Sequence, residues 1–240
     1  MEGRTESLRQ LDLEGFVLFP AIVDVPEIEG LEAELAELAQ NDSKRDPKRR
    51  GGLRDLFRAS SVRSLCAHER IVSIVRATLG DRARAVRALF FDKGDEQNWQ
   101  IRWHQDVTIA VAEEREAPGF GPWSTKEGVV HAHAPVTVLE SMLALRIHLD
   151  DCGPKDGPLR VIPGSHLSGR LSAEDSSALR DSASEHVCLA KRGDVLAMRP
   201  LLLHASSKVV RTTRRRVVHI EFAAEPLSDG LRFREEYPIG

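Results

Sequence analysis

The chain has 240 residues, with 34 Lys and Arg against 37 Asp and Glu and a formal net charge of -3. That balance leaves no electrostatic footprint for nucleic acid or an anionic membrane, and no apolar run approaches the roughly 18 residues of a membrane span. Three scattered cysteines (Cys66, Cys152 and Cys188) with no CxxC pair suit reduced thiols rather than a disulfide framework. Residues 1–10 are charged and have no apolar segment of a secretory signal, so the expected location is cytoplasmic. A chain of this length buries enough surface for a core without staples and is expected as one domain over 1–240.

In chain order, residues 11–20 alternate into the apolar run Gly15-Phe16-Val17-Leu18-Phe19, stopped by Pro20, and read as a strand. Ile28, Leu31, Leu35 and Leu38 set a helical period over 26–40. The stretch that follows is basic and turn-rich (Lys44, Arg45, Lys48, Arg49, Arg50), and a mobile basic loop is expected over 43–58. Residues 60–79 predict one or two helices ending at Gly80. From there the character changes to strands: 84–92, a turn at 94–98, and 100–108. Residues 112–135 hold Pro118, Gly119, Gly121, Pro122 and Gly128 and show no clean period. A connection that long inside a compact domain is usually functional, and a lid is expected there. By its context 139–150 reads as a strand, with Leu143, Leu145, Ile147 and Leu149 on one face and Arg146 and His148 on the other, although Met142 and Ala144 also suit a short helix at its start. Another strand follows at 158–162. A short helix over 172–182 has Ser172 as its cap. Strands at 187–190 and 194–198, the run Leu201-Leu202-Leu203 into His204, a turn at 209–213 and a strand over 214–223 complete the chain. Helices first and then seven or eight short strands, without βαβ alternation, predict a mainly β fold. The expected form is a double-stranded β-helix, a cupin-like jelly roll backed by N-terminal helices.

The chemistry centres on Ile101-Arg102-Trp103-His104-Gln105-Asp106. On a strand, Arg102, His104 and Asp106 share a face, and an imidazole beside a carboxylate supplies two of the three ligands of a facial triad. A third ligand has to be a distant histidine. His204 ends an apolar run and has small neighbours; it is either that ligand or a hydrogen-bonded core residue. Eleven positions later, Arg215 shares an alternating face with Val217, His219 and Glu221. A guanidinium inside a barrel is costly unless a carboxylate meets it, and a dicarboxylate cosubstrate would do so. Arginines 214–216 projecting together into solvent is the other reading.

These residues resemble the phytanoyl-CoA dioxygenase family of Fe(II)/2-oxoglutarate oxygenases. The resemblance runs from about residue 10 to residue 224. Its elements are Glu14-Gly15-Phe16-Val17, Trp103-His104-Gln105-Asp106, Gly157-Pro158-Leu159 leading into Pro163-Gly164-Ser165-His166, and His204-Ala205-Ser206 followed by Arg215. Asp156 stands where the family often has Asn, and both suit a turn. The resemblance implies Fe(II) on His104, Asp106 and His204, 2-oxoglutarate chelating the iron, and Arg215 with the Ser206 hydroxyl on its distal carboxylate. One position is left for O2. Because Asp106 is present where related halogenases have a small residue, hydroxylation of a C–H bond with release of succinate and CO2 is expected. Desaturation and epimerisation use the same triad.

Arg102, His219 and Lys93, with Arg87, are further candidates for contact with substrate or cosubstrate. His131 and His133 are read as lid or solvent residues; His68, His148, His166 and His186 as structural. The expected partner is a small organic molecule, anionic if Arg102, Arg146, His219 and the basic loop face it, and the oligomeric state is open. The competing reading is a cupin-type metal protein with another reaction, or a jelly-roll module without catalysis. Neither needs His104, Asp106, His204 and Arg215 together.

Overall fold

The computed structural model describes residues 2–45, 52–94, 98–210 and 214–240. The turns expected at 94–98 and 209–213 and the basic run Lys48-Arg49-Arg50 fall largely or wholly outside them. Helix α1 (Glu2–Glu14) was not expected, because its residues carry almost no helical stripe, and it takes up 11–14, expected as the start of a strand. Gly15, at φ +82°, ends it and launches β1 (Phe16–Phe19). A Cβ on Gly15 would lie 2.5 Å from His166 Nδ1.

Helix α2 (Val25–Arg45) runs five residues beyond the expected end at 40. Local composition favoured a loop there, but Asp42 takes two hydrogen bonds from Arg58, at 3.1 and 2.5 Å, and that contact holds the last turns. The remaining expectation for 43–58 needs correction as well. Gly52–Leu53 form β2 against Phe91 and Phe90, and Leu56–Arg58 form a 3-10 turn. Leu53, Leu56 and Phe57 are buried, and that apolar triplet is what anchors the segment. Helices α3 (Ser60–Ala67) and α4 (Glu69–Leu79) break at His68.

Strands β3 (Arg84–Lys93), β4 (Ile101–His104) and β5 (Thr108–Val111) come next. The segment expected as an irregular lid contains a hairpin, β6 (Trp123–Lys126) and β7 (Val129–His133), which extends β5 into a three-stranded sheet. Its short strands among Pro and Gly residues hid the period. Helix α5 (Val136–Glu140) leads into β8 (Met142–His148), then β9 (Leu159–Val161) and α6 (Ala173–Ser182). The chain finishes with β10 (His186–Cys188), β11 (Val195–Met198), β12 (His204–Ser206), β13 (Arg215–Ala223) and β14 (Tyr237–Pro238). Fourteen strands are described where seven or eight were expected; the excess consists of pieces two to five residues long.

All strand pairings among the described residues are antiparallel. The major sheet has the order β1-β11-β8-β13-β3-β14, with β2 on β3, and the minor sheet has the order β10-β9-β12-β4. The two open sheets form the double-stranded β-helix. Outward residues of the major sheet (Leu143, Leu145, Ile147, Val218, Ile220, Phe222) join Ile28, Leu31, Leu35, Val62, Ile71 and Val75 of the helices in one apolar core. Inward residues Phe16, Ala144, Leu196 and Met198 meet Leu159, Val161 and Cys188 of the minor sheet in another. The pleat of β8 thus sends its leucines to the helices and leaves Arg146 and His148 facing between the sheets.

Candidate metal centre and cosubstrate pocket

His104 and His204 are register partners across β4 and β12, with ring centroids 4.2 Å apart. Each Nδ1 donates to a backbone carbonyl two residues earlier, His104 to Arg102 and His204 to Leu202, both at 2.8 Å. That fixes the tautomer: the lone pair is on Nε2 in both rings. The two Nε2 atoms lie 3.4 and 3.6 Å from the Oδ1 and Oδ2 of Asp106. The three potential ligand atoms all lie within 4.8 Å of one another. Burial holds His204 down at about 4, with Asp106 opposing, so the ring is neutral and able to donate its lone pair. Burial opposes the Asp106 charge too, but His204 and His104 outweigh it and keep the carboxyl well below the usual range. His104 is raised, burial being outweighed by Asp106.

Two residues outside the triad position it. Gln105 Nε2 donates to Gly169 O at 2.8 Å and to Leu201 O at 2.7 Å, and its Oε1 accepts from Leu171 N at 2.8 Å. It ties the strand carrying His104 to the segment before α6 and to Leu201, three residues before His204. Ser165 Oγ accepts from Leu203 N at 2.8 Å, one residue before His204. The role of Gln105 was not anticipated; only its place between His104 and Asp106 hints at it.

Beside the triad lies a cavity of about 230 Å³, lined by His104, Asp106 and His204 and by Arg146, Ser206, Arg215 and His219. Arg215 is buried; its Nη1 donates to Gly157 O at 2.7 Å and its Nε has no partner. Gly157, at φ +63°, has room for no Cβ, which would meet Ser207 O at 2.5 Å. Lys93 is fully buried and donates to Ser206 Oγ (3.1 Å) and Ser207 O (2.9 Å). Arg146 approaches His219 Nδ1 at 3.3 Å, and its Nε is also unpaired. Burial, with Arg215 and Arg146 adding their charges, pushes Lys93 down to about 7; burial and Arg215 lower Arg146 to about 10. No ion pair joins these three cations to a carboxylate among the described residues. Asp156 favours the Arg215 charge only at longer range. Such a cluster is unfavourable unless an anion enters it.

Arg102 is exposed and lines no part of the cavity, contrary to expectation. Opposite His204 and Ser206, β4 presents His104 and Ile101, three positions apart, so it carries an extra residue. That bulge turns Ile101 inward and Arg102 outward. His131, read as a lid or solvent residue, is buried with Nε2 3.4 Å from Arg87 Nη2. His166 is held by Asp12 O at 3.1 Å.

Facing open sheets with a two-histidine, one-carboxylate cluster define a metal-dependent oxygenase of the double-stranded β-helix class. The chain belongs to the phytanoyl-CoA dioxygenase (PhyH) family, whose profile matches residues 11–217. The family works with Fe(II), 2-oxoglutarate and O2, and those are the cofactors of oxygenase-type activity here. No curated protein matches the chain in sequence. Among solved structures, the non-heme alpha ketoglutarate dependent carbocyclase SnoK from nogalamycin biosynthesis is similar at 16% identity and TM-score 0.71, covering 94% of this chain and 88% of its own. The epimerase SnoN in complex with Fe3+, alpha ketoglutarate and nogalamycin RO gives 14% and 0.70, over 100% and 96%. EctD from S. alaskensis with bound Fe gives 19% and 0.69, over 91% and 76%. At these identities the likeness is one of fold. No helix among the described residues is long and apolar enough to cross a membrane.

Proposed function

We propose that the protein hydroxylates an unactivated C–H bond of a small organic molecule, with 2-oxoglutarate and O2 consumed and succinate and CO2 released. His104 Nε2, His204 Nε2 and one oxygen of Asp106 would hold Fe(II), which when bound supplies the O2-activating chemistry. The observation that carries the reading is the pairing of this cluster with Arg215, a buried guanidinium with no carboxylate ion-pair partner among the described residues. Arg215, the Ser206 hydroxyl and Lys93 would bind the distal carboxylate of 2-oxoglutarate, where two charge-assisted hydrogen bonds replace lost hydration. His219 lines the same cavity between that anchor and Glu221, where it can contact cosubstrate or substrate. The hairpin of β6 and β7 contributes Lys126 to the cavity wall, which supports a lid role for 112–135.

A succinate-release screen of the Fe(II)-loaded protein over a metabolite library tests this. Stoichiometric succinate and a product heavier by one oxygen are expected with one class of compound. A product of unchanged composition would indicate epimerisation, and loss of two hydrogens desaturation. Absence of 2-oxoglutarate turnover with every compound would count against the enzyme reading itself.

A further inference from the structure

Along the ladder of β13 and β3, Arg215 faces Lys93 at one end, His219 faces Leu89 in the middle, and Glu221 faces Arg87 at the other end. Arg215 and Glu221 are six residues apart, roughly 20 Å along the strand. The cavity therefore has two cationic ends, and one 2-oxoglutarate molecule cannot occupy both. Arg87 reaches the second end from β3. The two segments expected as a loop and a lid each add a cation there: Arg54 follows β2, and Lys126 closes β6.

The available donors have specific states. Arg87 Nη1 donates to Glu221 Oε1 at 3.1 Å and Nη2 to His131 Nε2 at 3.4 Å, so three of its five N–H donors have no protein partner among the described residues. The Lys126 ammonium has none. Arg54 meets Glu127 at 3.5 Å, but those side chains are 35% and 45% exposed, and such a pair is readily exchanged for a ligand anion. In all, five cationic side chains line the cavity against two carboxylates, Asp106 and Glu221. Fe(II) and the 2-oxoglutarate dianion carry opposite and equal charge, so loading the cofactors does not remove the excess.

We propose that the substrate carries an anionic oxygen group, a carboxylate or a phosphate or sulfate monoester, held by Arg87, Lys126 and Arg54 at the end of the cavity opposite Arg215. This rests on the cofactor reading above and names the substrate class for that site. The fields of the three cations add in a cleft walled partly by Leu89 and Phe91, which strengthens attraction for an anion. The anion site also fixes orientation, because the anchored end lies at Arg87.

The test uses the anaerobic protein with Fe(II) and saturating 2-oxoglutarate. Calorimetry is run with a panel of short carboxylic acids, phosphate monoesters and sulfate monoesters, each paired with its methyl ester or parent alcohol. Binders are expected among the anions, at least about tenfold tighter than their uncharged partners. Lys126→Gln and Arg87→Gln should each weaken them about tenfold. Arg87→Gln takes the guanidinium partner from Glu221 and risks the fold, so the exposed Lys126→Gln carries the test if that variant fails. Equal affinity for the neutral members, a change within twofold in Lys126→Gln, or no anion bound at all overturns the proposal. The Fe(II)–2-oxoglutarate charge-transfer band separates the two readings. A band with neutral preference sinks the anion site alone, and a wild-type protein without a band sinks the cofactor reading.

Discussion

With Nδ1 of His104 and of His204 each donating to a carbonyl, both rings offer a single lone pair, and Asp106 lies within 3.6 Å of both Nε2 atoms. Replacing His204 with Ala should abolish metal-dependent turnover while the fold persists, as circular dichroism would record. Arg215 is the residue proposed to hold the cosubstrate. Arg215→Met should raise the 2-oxoglutarate Kd by about 30-fold or more, equivalent to the 2–5 kcal/mol of a truncated buried charge partner, and equilibrium binding reads it. Lys93 gives the pH dependence. Held near 7 without ligand, it is raised by an entering carboxylate, so the protonated form is the one that binds. Affinity for 2-oxoglutarate is therefore full below about pH 7 and falls above it, by up to about tenfold per pH unit. Lys93→Met should flatten that slope in titrations between about pH 6 and pH 9. His104, Asp106, His204 and Arg215 could be singled out in the sequence by residue type, order and resemblance, and the structure brings the four to one cavity. Arg102 was misplaced because a bulge, invisible in the chain itself, interrupts the alternation of β4.

The elements around the site were legible where a period was long and clean, as in α2, α4, β8 and β13. They were not where tertiary contacts decide. Asp42 and Arg58 extend α2, three buried apolar side chains anchor 52–58, and the hairpin of β6 and β7 is held by pairing to β5. The turn before β9 is the most sensitive of these pieces to a small change. Gly157→Ala adds a Cβ 2.5 Å from Ser207 O at a positive φ, which should cost more than about 1 kcal/mol. Since the Gly157 carbonyl holds Arg215, 2-oxoglutarate binding should weaken as well. A lower urea midpoint with an unchanged slope, together with a higher Kd, checks both halves. Helix α6 behaves more simply. Ser172 Oγ accepts from Asp175 N at 3.0 Å, and Ser172→Ala should cost about 1 kcal/mol without touching cosubstrate binding.

Taken as a whole, the molecule sets a helix-backed apolar core on one face of the major sheet and a cationic, metal-competent cavity on the other. Ligands that enter that cavity bind only the folded protein, so they stabilise it by mass action. With Fe(II) and 2-oxoglutarate at 100 times their Kd, the gain is about 2.7 kcal/mol for each. For a chain of this size that corresponds to a Tm rise of roughly 5–10 °C per ligand, readable by calorimetry under anaerobic conditions. Arg215→Met should cut the 2-oxoglutarate share by about two thirds or more and keep the metal share. The central claim, that one cavity brings Fe(II) and 2-oxoglutarate together on His104, Asp106, His204 and Arg215, is tested most directly by the visible absorption of the anaerobic protein. A weak metal-to-ligand charge-transfer band should appear only when both are present, and should vanish in His204→Ala. No band in the wild-type protein, or an undiminished band in His204→Ala, would contradict it.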